Sequence, residues 1–578
     1  LVTVLHTENP NYAFLTIEIA DKAKAGLLNF AFTPSTSAKA ADTPITINYE
    51  LKTRKTNDKN RIQGLTSADF VYLLMPDRFS NGDKTNDVVK EMNDVRCNRD
   101  SGFIRHGGDL QGVVNHLDYL QNLGVTAIWM TPVFENNQPY ESYHGYAFTD
   151  HYKIDPRLGT NALYQKLVDE AHVKGLKIVM DLVHNHIGNK HWLYADLPAK
   201  DWVHQWSSFT RSTYRATTLL DPYASATEKT QLADGWFDKH MPDLNQKNLQ
   251  VANYFIQNNI WWIEEYGIDA FRVDTYAYPD QDFMGYWAKA IFKEYPKFGI
   301  FGETWVQGIG VQAFFAKNNV KDSRSYRATK IAGIPKGKPA GSEVTNLPGV
   351  TDFQLYYALQ EGVTKEMGWT EGIMQVYNTL AVDYLYDNPF KNVVFLDNHD
   401  LSRFYSVVKE DLNRYKMGVA LQLTTRGIPQ WYYGDEVLMK NYASLSGVEA
   451  REDFSGGWEG DKINKFDEKN LVGKEAEAFV FVKKLANFRK NSNGLKSGKL
   501  MQFVPANGVY TYFRYTETET IMVIINTDKA EQTLDCKHFA ERMAGFNSAE
   551  NVVTGEKLST ISTIKIPANT PFVLKLKI

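Results

Sequence analysis

Eight short apolar runs separated by helix-length amphipathic segments, with β-patterned stretches on either side, predict an α/β fold. The expected architecture is a (β/α)8 TIM barrel with an inserted domain after strand 3, an N-terminal β-sandwich module and a C-terminal β-sandwich domain. The 578 residues amount to nearly four domains at about 150 residues each, although barrels run larger as single units. A content of 43% hydrophobic and 13% aromatic residues supports a large core and excludes global disorder.

Residues 1–65 read as the N-terminal module. Short alternating runs at 2–5, 13–17, 26–32 and 45–49 predict strands, and the pattern starts abruptly, so the module is expected to be abbreviated. The polar stretch 53–60 is the linker. Residues 66–490 hold the barrel, with strands expected at 70–75, 127–130, 177–183, 270–273, 299–302, 350–353, 393–396 and 428–433. Leu110, Val114, Leu117 and Leu120, and then Leu163, Leu167 and Ala171, set the helical spacing between them. Eight such runs fit a closed barrel better than an open doubly wound sheet. Residues 187–244, rich in Trp, His and Asp, separate the third strand from the next helix, and a connection of that length reads as an inserted domain. Residues 491–578 return to strand patterning at 509–515, 520–525 and 561–566.

Composition narrows the function. Lys and Arg total 64 against 68 Asp and Glu, a net charge of −4, which lacks the basic footprint of a nucleic-acid binder. No apolar run approaches the roughly 18 residues of a membrane span, so no membrane partner is expected. Cys97 and Cys536 are too few for a disulfide framework. The chain starts at Leu1 without a leader, and a processed protein, periplasmic or secreted, is expected. The 12 Trp, 32 Tyr and 32 Phe exceed what packing alone needs, and flat apolar faces edged by polar groups suit sugar rings.

Chemistry in a barrel sits at the C-terminal strand ends. Carboxylates recur at four of them: Asp181 in Asp181-Leu182-Val183-His184-Asn185-His186, Asp274 in Phe271-Arg272-Val273-Asp274, Glu303 in Gly302-Glu303-Thr304-Trp305, and Asp400 in Asp397-Asn398-His399-Asp400. One such Asp is easily a helix cap, but four at one mouth are not. Two carboxyl groups about 5 Å apart can hydrolyse a glycosidic bond with retention. Asp274 and Glu303 lie one βα unit apart. Arg272, on the same strand face, is expected to keep Asp274 ionised, while the Asp274 charge and Trp305 raise the pKa of Glu303. Asp400 would hold sugar hydroxyls opposite. His184 and His186 lack the third close ligand of a zinc site. Trp261-Trp262 reads as core, and neither Gly107-Gly108 nor Gly456-Gly457 has a phosphate-loop pattern.

These four motifs, with the sequence from Gly267 to Asp274, resemble the signature regions of the α-amylase family of glycoside hydrolases, glycoside hydrolase family 13. Met241-Pro242-Asp243-Leu244-Asn245 resembles a fifth region in its neopullulanase and cyclomaltodextrinase form. The resemblance implies Asp274 as nucleophile, Glu303 as acid/base and Asp400 as stabiliser. It implies His144, Tyr146, Asp181, Arg272 and His399 as supporting or sugar-binding positions, with Trp305 lining the cleft. Arg403 is expected at a sugar hydroxyl or paired with a loop acid. Ala277 and Tyr278 depart from the Lys-His pair of true α-amylases and from the Asn-Glu of many cyclomaltodextrinases, and Tyr276 and Tyr278 read equally as acceptor-side stacking or as packing.

The stretch Asp77 to Asp87 by spacing alone is an Asx-rich turn. It also resembles the calcium loop of neopullulanase-type enzymes, which implies a structural Ca²⁺ held by Asn81, Asp83, Asn86, Asp87, Asp109 and the Gly108 carbonyl. The whole implies a retaining α-glucan hydrolase acting on pullulan, cyclodextrins and malto-oligosaccharides, with an α-amylase or cyclomaltodextrinase of other preference as the alternative. The resemblance further implies homodimers in which the N-terminal module reaches a partner's site.

Overall fold

The computed structural model describes residues 2–33, 44–55, 61–319, 347–444 and 447–578. Part of the expected linker, residues 56–60, lies outside the described residues. The centre is one eight-stranded parallel sheet. Its strands are β1 (Val71–Leu74), β2 (Ala127–Met130), β3 (Lys177–Val183), β4 (Ala270–Asp274), β5 (Gly299–Gly302), β6 (Gly349–Val350), β7 (Val393–Val394) and β8 (Ile428–Tyr432). They lie in the order β6-β5-β4-β3-β2-β1-β8-β7. A parallel bridge from Thr351 to Val393 closes the ring, with Asp352 N–H donating to the Val393 carbonyl at 2.8 Å. Nearly every strand residue is buried, as continuous Val/Ile/Leu-rich runs require when helices cover the outside and side chains fill the inside.

Helices Asn161–Val173, Leu249–Tyr266, Gln281–Glu294, Phe353–Thr364, Leu412–Thr424 and Gly473–Asn491 lie between and after the strands. The first five open on side-chain caps (Thr160, Asn248, Asp280, Asp352 and Asp411), which take up otherwise unpaired backbone N–H groups. Trp262 is fully buried and donates its indole N–H to the His151 carbonyl at 2.8 Å, a core residue as read from sequence. The segment after β3 has a few short helical pieces and isolated bridges, among them His186–Asp243 and Val203–Leu244, which tie its two ends together. A hairpin in the connection after β2 (Phe134–Glu135 with Asp150–Ile154) has no counterpart in the sequence reading, because a two-residue strand with a shifted register shows no alternation.

Before the barrel stand two antiparallel hairpins, Val2–His6 with Ala13–Ile17 and Gly26–Phe32 with Ile45–Leu51. After it, a six-stranded antiparallel sheet faces the pair Gln532–Asp535 and Thr563–Ile566, with Phe513, Met522, Ile524, Ile564 and Ile566 packed between them. No helix among the described residues is long and apolar enough to cross a membrane.

Candidate active site

Arg272 on β4 organises the mouth of the barrel. Parallel register sets it beside Asp181 on β3, and the two-residue strand period puts Asp274 on the same face. One terminal nitrogen of Arg272 donates to Asp181 Oδ1 at 2.8 Å and to Asp274 Oδ1 at 2.7 Å, while the other lies 3.0 Å from Glu303 Oε1. Two carboxylates on the two arms of one guanidinium are held close together, and the fork geometry fixes their direction as well as their charge. The second Glu303 oxygen accepts from Thr275 N–H at 2.9 Å. To offer that N–H, Thr275 adopts φ 45°, a left-handed conformation that a β-branched residue takes only under constraint.

Asp181 also accepts from the Trp129 indole and the Tyr146 hydroxyl, each at 3.0 Å. Tyr146 lies 2.8 Å from His399 Nε2, and the two rings stack at 5.5 Å. His144 Nδ1 accepts Tyr146 N–H at 2.9 Å, so its proton sits on Nε2, where the ring is a donor. Arg451 completes the ring of contacts, donating to Asp400 Oδ1 and to the His399 carbonyl, each at 2.7 Å, and to Tyr143 Oη at 3.0 Å.

The electrostatics separate the three acids. Burial raises Glu303 to about 7, helped by the charges of Asp274 and Asp400 and opposed by Arg272. Burial also raises Asp274, to about 6, with Arg272 again opposing. Arg272 thus favours the ionised form of Asp274 as expected, although desolvation outweighs this one cation and leaves the pKa raised. At Asp400 burial works against ionisation, yet His399, Arg451 and Arg272 outweigh it and hold the group below the usual range. Burial drives His144 and His399 down to about 3, so both imidazoles are neutral at physiological pH. The site thus has an ionised carboxylate, a neighbour that holds its proton to higher pH and a third whose charge is favoured by the cations around it, which is the division of labour of a retaining glycosidase.

A family profile described as the α-amylase catalytic domain matches residues 73–498. The chain belongs to the α-amylase family. Profiles for the cyclomaltodextrinase N-terminal and C-terminal domains match residues 1–55 and 500–575. The β/α-amylase of Paenibacillus polymyxa is 28% identical over 487 residues, 82% of this chain but only 34% of that protein. A cyclomaltodextrinase of Thermoanaerobacter pseudethanolicus is 28% identical over 477 residues, covering 81% and 72% of the two chains. Neopullulanase 2 of Thermoactinomyces vulgaris is 27% identical over 472 residues, covering 80% and 70%. Among solved structures, the acarbose complex of an α-amylase from Geobacillus thermoleovorans superposes with a TM-score of 0.69 at 24% identity, covering 89% of this chain and 99% of that one, a likeness of fold.

Within this glycoside hydrolase, Asp181, His144, Tyr146, Arg272, Asp274, Glu303, His399 and Asp400 form one connected network. Arg403 stands outside it. Its guanidinium is buried, donates to the Ala450 carbonyl at 3.1 Å, to Asp435 Oδ1 at 3.1 Å and to the Tyr433 carbonyl, and lies 3.8 Å over the Tyr432 ring. Of the two expected roles this is the pairing with a loop acid, Asp435, and not the sugar contact, because its Nε and Nη1 donors are taken up by Asp435 and by backbone carbonyls. Trp305 lies on the rim, stacked on Phe353 at 5.1 Å with its indole bonded to Tyr357 Oη at 2.9 Å, and burial and charge, not this ring, account for the Glu303 shift. Tyr276 is fully buried and is packing: a Cβ on Gly302 would lie 2.5 Å from its Cγ. Tyr278 is half-buried, its hydroxyl is raised by burial and by the charges of Glu303 and Asp274, and its N–H donates to the Thr275 carbonyl at 2.9 Å. His184 bonds Asn259 at 2.8 Å, and no group of three His, Cys, Asp or Glu gathers as metal ligands among the described residues.

Arg451, Trp129 and Tyr143 carry the network and were not assigned from sequence. Trp129 reads as one more apolar residue of a buried strand, and the stretch from Arg451 to Trp458 resembles a late-barrel loop near the substrate, but the sequence does not show which of its residues touch the site. The loop after β1 has mixed contents. Asn81 Oδ1 and Asn86 Oδ1 are buried without a protein partner, and Asn81 Nδ2 donates to Asp87 Oδ1 at 2.8 Å. Asp83 accepts from Thr85 N–H at 3.0 Å, and Asp109 caps Gly112 N–H at 2.6 Å and receives Asp83 N–H at 2.8 Å. Gly107 leaves room against this cluster, where a Cβ would stand 2.6 Å from Asp87 Oδ1.

Proposed function

We propose that this enzyme cleaves α-1,4-glucosidic bonds in pullulan, cyclodextrins and malto-oligosaccharides, in the manner of a neopullulanase. The observation that carries the mechanism is the Arg272 fork joining Asp274 to Glu303. Asp274 attacks the anomeric carbon as Glu303 gives its proton to the departing oxygen, forming a glycosyl ester. Glu303, now ionised, then takes a proton from water, whose oxygen attacks the same carbon and releases Asp274. Asp400, held by Arg451, binds hydroxyls of the sugar being transferred and stabilises positive charge as it develops. His144 and His399, neutral, serve as hydrogen-bond partners and not as acids. The names of the cyclomaltodextrinase and neopullulanase relatives support the substrate class. The test is product analysis on pullulan and on a cyclodextrin, with the Asp274→Asn variant as control. Panose from pullulan together with cyclodextrin opening is expected; activity confined to starch would favour an α-amylase.

We further propose that the loop after β1 holds a structural Ca²⁺. Two buried amide oxygens without partners beside a carboxylate form a hard-oxygen donor set. Asn81, Asn86 and Asp87 would bind it, with Asp83, Asp109 and the Gly108 carbonyl completing the sequence-derived set. Its role would be to tie the loop, away from any bond-breaking step.

A further inference from the structure

The first N-terminal hairpin grips the inserted segment of its own chain. Asn9 backbone N–H donates to the Pro198 carbonyl at 3.1 Å, and its side-chain amide donates to Asp196 Oδ1 at 2.5 Å and to the Leu197 carbonyl at 3.0 Å. Asn11 donates to the other Asp196 oxygen at 3.0 Å, and the Tyr12 hydroxyl to the Asp196 carbonyl at 2.5 Å. Phe14 stacks on the buried Trp202 ring at 5.9 Å. The turn is set in advance, since Asn9 Oδ1 accepts Asn11 N–H at 3.0 Å and Thr7 Oγ1 donates to the Asn9 carbonyl at 2.6 Å. The other end of the module is fixed to the barrel: Lys52 pairs with Glu265 at 3.0 Å and Arg54 with Glu294 at 2.9 Å.

Contacts continue from Trp202 toward the active site. Asn245 N–H donates to the Trp202 carbonyl at 2.9 Å, His204 N–H to the Asp243 carbonyl at 3.0 Å, and Leu244 N–H to the Asn185 carbonyl at 2.9 Å, just past the end of β3. Further along the segment, Tyr214 adopts φ 55° and donates its hydroxyl to the Phe237 carbonyl. Its ring lies 5.9 Å from that of Tyr278, whose N–H donates at 2.9 Å to the carbonyl of Thr275, the residue after Asp274 whose own N–H holds Glu303. A strained tyrosine held against the cleft depends on the segment that carries it.

We propose that the N-terminal hairpin is a brace acting within one chain, with Asn9, Tyr12 and Phe14 as positioning residues that hold the inserted segment and its Tyr214 over the cleft. For its activity assay this rests on the hydrolase reading above. The test uses full-length chains carrying Phe14→Ala and, from the other side of the contact, Asp196→Ala, which leaves the hairpin sequence intact. Both are expected to raise KM for a malto-oligosaccharide about three- to tenfold, with kcat within about twofold. Both should also speed protease nicking within residues 203–240, and Phe14→Tyr should restore KM and nicking rate. Mixing Phe14→Ala with the inactive Asp274→Asn chain should leave KM raised. Wild-type KM and nicking rate in both variants would overturn the brace. So would recovery of KM on mixing, which would put the contact between two chains. A wild-type enzyme with no turnover would instead overturn the hydrolase reading, and the nicking rates would still decide the brace.

Discussion

At the scale of residues, the site is governed by one cation among several acids. Arg272 touches Asp181, Asp274 and Glu303, so the pKa values of these carboxyls are set jointly by its charge and by burial. Turnover needs Asp274 ionised and Glu303 protonated. Asp274 is raised to about 6 and loses its charge as pH falls through that value; Glu303 is raised to about 7 and loses its proton as pH rises through it. A narrow bell in kcat/KM with limbs near those values is expected from initial rates across pH, and a flat profile from pH 5 to 8 would refute the assignment. Asp274→Asn should lower kcat about a thousandfold or more, with far-UV circular dichroism unchanged. Arg451→Ala removes a charged donor and should cost about 10- to 100-fold in kcat/KM. Because Arg451 helps hold Asp400 down, the Asp400 carboxyl should titrate higher in the variant, read by carboxyl NMR, while the acid limb near 6 stays with Asp274. The residues at strand ends were legible because the fold brings every such end to one mouth. Arg451 was not, since its contacts with Asp400 and His399 arise only when the chain after β8 folds back over the cleft.

At the scale of elements, strands announced themselves as apolar runs, and all eight barrel strands lie where those runs stand. Two are shorter than expected. The runs at 350–353 and 393–396 pair over only two residues each, because Asp352 caps the helix beginning at Phe353, and Phe395 leaves the ladder to pack on that helix's Phe353 and Tyr356. Apolar character alone does not mark where a ladder ends. The end of β5 shows how closely an element can constrain a site. Gly302 is followed directly by Glu303, and an added Cβ would meet the Tyr276 Cγ at 2.5 Å and Cβ at 2.8 Å, the rigid base of a buried ring. Gly302→Ala must therefore displace either the ring or the strand end. Overpacking of that kind costs about 1–3 kcal/mol, and the displaced strand end carries Glu303. A lower Tm in calorimetry together with at least about a tenfold loss of kcat is expected; full activity at wild-type Tm would show that the ring yields freely.

At the scale of the whole molecule, the N-terminal module is fastened by polar contacts and the Phe14–Trp202 stack, the C-terminal sheet shares the barrel's core through Tyr510, Tyr512, Ile521 and Val523, and the loop after β1 joins in. Asn81 N–H donates to the Gly457 carbonyl at 2.9 Å, and Lys84 pairs with Glu459, so this loop is tied to the long segment that also carries Arg451. A cation bound at Asn81, Asn86 and Asp87 would therefore stabilise two distant stretches of chain at once. A ligand that binds only the folded state adds stability as RT ln(1 + [L]/Kd), about 2.7 kcal/mol at a hundredfold excess over Kd. Chelation should then lower Tm, calcium but not magnesium should restore it, and the shift should vanish in Asn81→Ala, where one buried oxygen is removed. The measurement is thermal denaturation with and without chelator, read by fluorescence so that it does not depend on catalysis. Equal Tm under all three conditions in the wild type would leave Asn81 and Asn86 as parts of an Asx-rich turn, with that corner held by protein bonds such as the Asp109 cap, the Asn81–Gly457 bond and the Lys84–Glu459 pair.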